Sequence, residues 1–181
     1  MGLNKQTQST NALYLLQGKI IKGATKETGT YEKNGKYYEE FNSISGKLVE
    51  FKVVDGYTGD KEIALTIDDL DNKYTMYFSL NSGYFKSFAR SLENVDLLSN
   101  VELFPTYKEE NGIKKSSLIM KQNDEWIKRV YTVDNMGKMP PAMPVEVNGK
   151  VEYDYSAQNK FLIEKISAKF DAAKLPFYGF D

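Results

Sequence analysis

The sequence predicts a mainly β protein, and three observations support that prediction. Between residues 46 and 80, three runs alternate apolar and polar side chains and are separated by turn-forming residues. Asn-Gly, which accepts positive φ at both positions of a tight hairpin turn, occurs at Asn34-Gly35 and Asn148-Gly149. Only residues 82–92 show a strong helical period. A sheet-based fold with one helix is therefore expected.

The first predicted elements are a strand over residues 15–22 and a hairpin. Gly18 lies within that strand and Gly23 follows it, and glycines at such positions indicate a bulge or a close backbone approach. Thr30–Lys33 and Lys36–Glu39 flank the first Asn-Gly pair, which predicts the hairpin.

A three-stranded meander follows the hairpin. Each of its strands places apolar residues on one face, as Val49, Phe51 and Val53 do in the first strand. Aspartates and an asparagine within residues 68–72 form the turn between the second and third strands.

Ser82 is the predicted N-cap of the helix over residues 82–92. Phe85, Phe88 and Leu92 recur at the spacing of one helix face. Phe85 and Phe88 are therefore expected in the core and not at a ligand.

The C-terminal part is predicted to continue as β structure. Residues 135–144 contain three of the five prolines and indicate an irregular crossing. Asn148-Gly149 then predicts a second hairpin. Residues 161–166 fit either a helix or a returning strand, and a short apolar run after a polar pair favours the strand.

Three meander strands, a helix and two further strands are the element order of an OB-fold, a five-stranded Greek-key barrel. The helix lies between the third and fourth strands. The predicted core elements are strands 46–54, 61–68 and 73–80, helix 82–92, and strands 101–107 and 116–133. We expect one domain over residues 1–181, with an N-terminal strand and hairpin extension at 1–43, an OB-like core at 44–133, and a C-terminal β extension with an aromatic tail at 134–181.

Histidine and cysteine are both absent from the 181 residues, which excludes disulfides, thiol nucleophiles, imidazole bases and ordinary zinc sites. Asp68, Asp69 and Asp71 could offer oxygen ligands to a divalent cation, but they lack the calcium-loop spacing and lie where a turn favours aspartate. We expect no enzyme, no metal and no cofactor. No apolar run approaches the roughly 20 residues of a membrane span, and the polar first residues are no signal peptide, so a cytoplasmic protein is expected.

The formal net charge of -1 predicts that contact with any polyanion depends on a local patch. Residues 1–26 carry lysines and no acid, and of the 24 basic residues only Arg90 and Arg129 are arginines. Lysine contacts phosphate as a point charge and lacks the planar fork that reads guanine, so weak sequence preference is expected of a nucleic-acid-binding protein. A genome whose proteins are generally rich in lysine would also account for this excess of lysine over arginine.

A family resemblance rests on two segments of the sequence: Leu65–Leu70, and Tyr74–Leu80 leading into Ser82–Leu92. The stretch Ser45–Val133 that contains them, roughly half of the chain, resembles the small single-stranded-DNA-binding proteins of tailed bacteriophages. The resemblance implies an OB-fold that coats single-stranded DNA in replication or recombination, without chemistry, in the host cytoplasm. It also implies that bases stack on aromatics of the open barrel face while loop lysines hold phosphates.

Single-strand binding needs aromatic platforms beside a basic track. Strand parity puts Tyr77 opposite to Met76 and Phe78, so Tyr77 is the preferred stacking residue, although a surface tyrosine without a ligand fits the same pattern. The complete predicted nucleic-acid-binding set is Lys52, Tyr57, Lys61, Lys73, Tyr77, Tyr107, Lys108, Lys114, Lys115 and Lys128.

Two features weaken parts of that set. Glu109 and Glu110 offset the charge of the loop lysines, as in a loop that is merely solvated. Trp126 shares strand parity with Lys128, but a lone tryptophan in a small barrel is expected in the core.

The chain ends in an apolar, aromatic tail. Its Leu-Pro-Phe segment resembles the Pro-Phe ending through which bacterial single-stranded-DNA-binding proteins dock on replication partners, but Lys174 precedes it and four residues follow it. The predicted partner-docking residues are Leu175, Pro176, Phe177 and Phe180. We expect the tail to dock on its own barrel or on a second subunit, and to regulate the DNA-binding groove.

A non-enzymatic virion or interaction module, with sugar as one candidate ligand, is the alternative function. Exposed tyrosines serve such modules as well, and a near-zero net charge fits them better than it fits DNA binding. The acid-free first 26 residues fit them less well.

Overall fold

The computed structural model describes residues 11–180. The N-terminal strands are β1 (Ala12–Leu16), β2 (Lys19–Ala24), β3 (Tyr31–Lys33) and β4 (Lys36–Phe41). The central elements are β5 (Ile44–Asp55), β6 (Lys61–Asp68), β7 (Lys73–Ser79), α1 (Gly83–Ser91), a 3-10 turn (Leu92–Asn94), β8 (Val101–Glu110), β9 (Ile113–Gln122) and β10 (Glu125–Trp126). The C-terminal elements are β11 (Met143–Val147), β12 (Lys150–Asp154), α2 (Ser156–Ala172) and β13 (Phe177–Tyr178).

One large mixed sheet contains all of these strands except β11 and β12, which form a separate hairpin. Its strands follow the order β10-β9-β8-β5-β6-β7-β1-β2-β4-β3, and β13 adds to β5. The β1–β7 and β5–β13 pairs are parallel and the remaining pairs are antiparallel. The sheet is not closed into a barrel, because its terminal strands β10 and β3 do not pair with each other.

The predicted mainly β class is confirmed, and so are the first four central strands and the helix between the third and fourth of them. The Ser82 side chain accepts a hydrogen bond of 3.2 Å from the backbone amide of Phe85, which makes Ser82 the N-cap. Asn34-Gly35 and Asn148-Gly149 form the predicted hairpin turns, with positive φ at each residue. A third Asn-Gly pair, Asn111-Gly112, has positive φ at both residues as well and joins β8 to β9.

The single strand predicted over residues 15–22 is wrong. Gln17 and Gly18 both have positive φ, so the chain reverses there and forms the β1–β2 hairpin. The strand predicted over 116–133 is also too long. Asn123 and Asp124 have positive φ and turn the chain back, so that Trp126 pairs with Lys121 in the short strand β10.

The strand favoured for residues 161–166 is wrong as well, because this segment belongs to helix α2. Leu162, Ile166 and Phe170 lie at helical spacing and are fully buried in the core. The Asp154 carboxylate accepts a hydrogen bond of 2.8 Å from the Ser156 amide at the start of this helix. The described residues therefore contain two α-helices, where one was predicted.

The core lies between the inner face of the sheet and the two helices. Phe85 and Phe88 are fully buried, as predicted, and the Phe88 ring meets that of Phe78 edge-on at 6.1 Å. Trp126 contradicts its predicted core position, because its side chain is 56% exposed. It lies in a two-residue strand at the end of the sheet, where its ring meets the Phe104 ring of β8 edge-on at 5.1 Å.

No helix within residues 11–180 combines the length and the apolar character needed to cross a membrane.

Gly83 allows α1 to approach β9, and its replacement is expected to destabilise the fold. A Cβ at Gly83 would lie 2.1 Å from the carbonyl oxygen of Ser116, where the helix packs on the strand. Gly83→Ala should therefore lower the free energy of unfolding by about 1–3 kcal/mol, as overpacking does. Urea denaturation measures this change. Gly23→Ala is the matched control, because a Cβ there meets no atom of residues 11–180 within 4 Å. Equal effects of the two substitutions would contradict the prediction.

Candidate nucleic-acid interface

Four tyrosines lie on the outer face of the sheet. Tyr14 in β1 is directly opposite Tyr77 in β7, and Tyr31 in β3 is opposite Tyr38 in β4. The register Tyr14–Ile21–Glu40 across β1, β2 and β4 puts both pairs on the same face. We call Tyr14, Tyr31, Tyr38 and Tyr77 the tyrosine surface.

Strand alternation produces this surface. The residues adjacent to the first pair, Leu13 and Met76, point to the opposite face and are buried at 2% and 0% exposure. Tyr77 is half-buried and Tyr14 is 46% exposed. The predicted parity, with Tyr77 outward and Phe78 inward, is therefore confirmed.

Tyr14 and Tyr77 stack on each other, with ring centroids 5.6 Å apart and an interplanar angle of 23°. The rings of Tyr31 and Tyr38 lie 6.2 Å apart at 41°. Partial burial raises the pKa of Tyr14, and the nearby Tyr77, Glu62 and Tyr38 raise it further, so this ring stays neutral at physiological pH. A neutral, exposed aromatic ring offers a π-face to a nucleobase.

A groove of about 380 Å³ lies beside the tyrosine surface and combines aromatic and cationic side chains. Tyr14 and Tyr38 line it together with Lys33 and Lys36. The Asn-Gly turn positions the two lysines, which are opposite each other in the β3–β4 hairpin. Both are exposed, and neither forms an ion pair within residues 11–180.

A second concave site of about 380 Å³ lies between helix α1, strand β9 and the segment after β10. We call it the basic pocket, because five of the side chains that line it are cationic: Lys86, Arg90, Lys114, Lys115 and Arg129. It contains both arginines of the chain. The Val130 amide donates to the Arg90 carbonyl at 2.7 Å, which holds the segment of Arg129 against α1.

Burial and mutual repulsion act on the cations of this pocket. Burial lowers the pKa of Lys86, and the nearby Arg90 lowers it further. Burial also lowers the pKa of Arg90, with a smaller contribution of the same sign from Arg129. The ammonium of Lys86 lies 3.1 Å from the centroid of the Tyr155 ring, a cation–π contact.

Some predicted binding residues share the face of Tyr77. Lys52 lies in the same row of the sheet as Tyr77, with Ala64 between them, and Lys73 follows the same parity in β7. Both are close to acids: Lys52 lies 3.1 Å from the Glu50 carboxylate, and Lys73 lies 3.9 Å from Asp68. They are therefore less available to a phosphate than Lys33 and Lys36.

The other predicted residues are dispersed. Lys114 and Lys115 line the basic pocket, whereas Lys128 is exposed in the segment after β10. Tyr57 is fully exposed in the β5–β6 turn, where Lys61 pairs with Asp55 at 2.8 Å. In β8, the Tyr107 hydroxyl donates to Glu109 at 2.9 Å and Lys108 pairs with Glu110.

Sequence reasoning missed the central residues of both sites. Lys33, Lys36 and Tyr38 lie in the predicted hairpin, to which no binding role was assigned. Tyr14 lies outside the strand predicted over residues 15–22, and nothing local indicates that β1 pairs with β7. The scarcity of arginine was a usable signal for the basic pocket, since both arginines line it.

The aspartates at the β6–β7 turn are occupied by local hydrogen bonds. The Asp68 carboxylate accepts from the Leu70 amide at 3.0 Å, and that of Asp69 accepts from the Asn72 amide at 2.7 Å. Such contacts stabilise turns. Within residues 11–180 no cluster of three or more acidic side chains has the geometry of a metal site.

The C-terminal tail docks on its own sheet, through β13 and its parallel partner β5. The Phe177 ring stacks on that of Phe51 at 5.5 Å with an interplanar angle of 4°, and the Phe51 amide donates to the Pro176 carbonyl at 3.2 Å. Leu175 also packs against the core, whereas Phe180 is 48% exposed. Of the predicted docking residues, Phe180 is the one that presents a ring to solvent.

Comparison of the chain with protein-family models, curated proteins and solved structures returned no match.

Proposed function

We propose that the protein binds single-stranded DNA with little sequence preference and acts in the replication or recombination of a bacteriophage genome. The observation that carries this proposal is the tyrosine surface with its adjacent lysines. Each nucleotide offers a base with a π-face and a phosphate with a negative charge, and this surface has a complement for each.

The aromatic part of the interaction is assigned to the exposed ring of Tyr14, supported by Tyr77. Because the two rings lie nearly parallel, Tyr77 limits the movement of Tyr14 and reduces the entropy lost when a base stacks on it. Tyr38 lies across the groove and offers a platform for a neighbouring base.

The electrostatic part is assigned to Lys33 and Lys36. With a net charge of -1 the whole chain does not attract DNA, so attraction depends on local cations. Lysines contact phosphates without reading bases, which fits weak sequence preference.

We infer that β5 to β9 with α1 form an OB-like unit. Two observations support this inference: β5 pairs with both β6 and β8, and α1 lies between the third and fourth strands of the unit. In the OB-fold, oligonucleotides contact the face of the second and third strands, which correspond to β6 and β7 here. Tyr77 lies on β7, so the proposed stacking platform includes a residue of the strand pair that contacts oligonucleotides in OB-folds.

Fluorescence-anisotropy titration of a labelled 30-nucleotide oligothymidine tests the proposed function. We expect binding at low salt and a linear fall of the logarithm of the affinity with the logarithm of the salt concentration, because phosphate contacts release counterions. An oligonucleotide of another sequence should bind with similar affinity, and a duplex of equal length should bind more weakly. The absence of an anisotropy change at low salt would refute the proposal.

The tail provides a prediction about the same face. The Lys52 ammonium lies 4.9 Å from the Tyr178 ring, so the tail competes with DNA for this cation. Tyr178→Ala should raise the affinity for oligothymidine about two- to fivefold, which corresponds to the loss of an exposed cation–π contact. The matched control is Phe180→Ala, and equal affinities of the two variants would contradict a regulatory role. A point variant is needed because deletion of the tail also removes Phe177 from the core.

Protein interaction is a second candidate function, favoured by the β11–β12 hairpin. All ten residues of its strands are exposed, including Val145, Val151 and Tyr153. An isolated two-stranded hairpin is marginally stable in water, and exposed apolar side chains mark interaction surfaces. If a second copy of the chain covers it, light scattering should show an oligomer that is lost when residues 143–154 are replaced by a Gly-Ser linker. Equal masses would exclude this interface between copies.

A further inference from the structure

We propose that the basic pocket binds a multiply charged phosphate group, either the terminal phosphate of a nucleic-acid strand or the oligophosphate of a free nucleotide. The pocket is separate from the tyrosine surface. This inference goes beyond the proposed function and does not depend on it, because a phosphate can bind here without a base.

The concentration of charge is the first argument. Five cationic side chains line one pocket of about 380 Å³, and within residues 11–180 none of them forms an ion pair with a carboxylate. Elsewhere on the surface, Lys52, Lys61 and Lys108 each have an acid within ion-pair distance. The pocket therefore carries an excess of positive charge that a bound anion would neutralise.

Arg90 provides the second argument. Its Nη2 donates to the Gln158 side chain at 3.1 Å, which fixes the guanidinium, whereas its buried Nε has no hydrogen-bond partner among the described residues. A buried donor without a partner is costly, and a fixed guanidinium with a free N–H is prepared to bind an anion.

The residue types favour phosphate over other anions. Arg90 and Arg129 supply planar forks that match phosphate oxygens, while the lysines supply mobile point charges. An acidic peptide spreads its charges at about 3.3 Å per residue, whereas a terminal phosphate or a pyrophosphate places two or more charges on one compact group. Among residues 11–180, no aromatic side chain lines the pocket, so this part of the chain offers a base no platform there.

Contacts of Arg90 and Lys86 also connect the pocket to the start of helix α2. Gln158 lies in α2 and Tyr155 just before it, and they contact Arg90 and Lys86 of α1 respectively. Two of the five pocket cations are thus held by contacts between α1 and the start of α2. A preorganised site loses less entropy on binding than mobile surface lysines do.

Isothermal titration calorimetry with inorganic pyrophosphate tests the inference. We expect saturable binding of one pyrophosphate per chain. The Lys115→Gln/Arg129→Gln variant should bind about tenfold more weakly or worse, because charge-assisted hydrogen bonds are lost. Both substituted residues are exposed, so the fold should persist, and the thermal midpoint checks that. Lys138→Gln/Lys150→Gln, which makes the same charge change at exposed residues outside the pocket, is the matched control.

A second titration distinguishes the two sources of phosphate. Tighter binding of a 5′- or 3′-phosphorylated tetrathymidylate than of its hydroxyl form, with the difference lost in the pocket variant, would identify the strand end as the ligand. Pyrophosphate binding without that difference would identify a free oligophosphate. No pyrophosphate binding, or equal weakening in the pocket variant and the control, would overturn the inference. Pyrophosphate affinity should be unchanged in Tyr14→Ala/Tyr77→Ala, so failure of the tyrosine surface is a separate result.

Discussion

Replacing Tyr14 and Tyr77 together by alanine is expected to abolish most of the affinity for single-stranded DNA. Stacking contributes about 1–3 kcal/mol per base, and this pair contains Tyr14, the most exposed ring of the tyrosine surface. Anisotropy titration with oligothymidine at fixed salt measures the loss. The slope of affinity against salt should change little, because no phosphate contact is removed.

Two further variants make this expectation specific. Tyr14→Phe/Tyr77→Phe keeps both π-faces and should retain most of the affinity. Tyr153→Ala removes another exposed tyrosine, from the separate β11–β12 hairpin, and should have no effect. Equal losses in the alanine double variant and in Tyr153→Ala would contradict the assignment of the platform.

Phe78→Ala is expected to produce a large loss of stability. Phe78 is 4% exposed and meets Phe88 edge-on, so its truncation should cost about 3–5 kcal/mol of unfolding free energy. Tyr77→Ala, one residue away on the opposite face, should cost much less stability but weaken DNA binding. Urea denaturation and anisotropy measure the two quantities. The reverse pattern would mean that the functional faces of β7 are exchanged.

Local chemistry was sufficient to predict much of the fold. The Asn34-Gly35 and Asn148-Gly149 turns and the Ser82 cap depend on side chains within a few residues, and each forms as expected. The inward position of Phe78 depends only on strand parity, which the sequence shows directly.

The features of the fold that the sequence did not predict depend on contacts between residues that are distant in the chain. Nothing near Tyr14 indicates that β1 pairs with β7 in parallel, yet that pairing creates the stack with Tyr77. The period of residues 161–166 was ambiguous until Leu162 and Ile166 met the core, which selects the helix. Trp126 is exposed to solvent because the turn before it places it in the edge strand of the sheet.

In the candidate sites, too, local sequence predicted some residues, whereas their grouping depends on long-range contacts. Tyr77 was predicted from one strand, whereas the other residues of the tyrosine surface come from three other strands. Lys114 and Lys115 were identified from a loop. Lys86 and Arg90 join them through packing of α1 on β9, and Arg129 joins them because the segment after β10 lies against α1. Single residues were thus predictable from the sequence, and the groups to which they belong were not.

The central claim is that DNA bases stack on the tyrosine surface. NMR spectra of protein carrying ¹³C-labelled tyrosine rings, assigned with single Tyr→Phe variants and titrated with oligothymidine, test it directly. Base stacking should produce large ring-current shifts at Tyr14 and at Tyr77 or Tyr38, and little change at the hairpin residue Tyr153. Saturable DNA binding with unshifted Tyr14, Tyr38 and Tyr77 rings, or shifts confined to tyrosines elsewhere such as Tyr57, would contradict the claim.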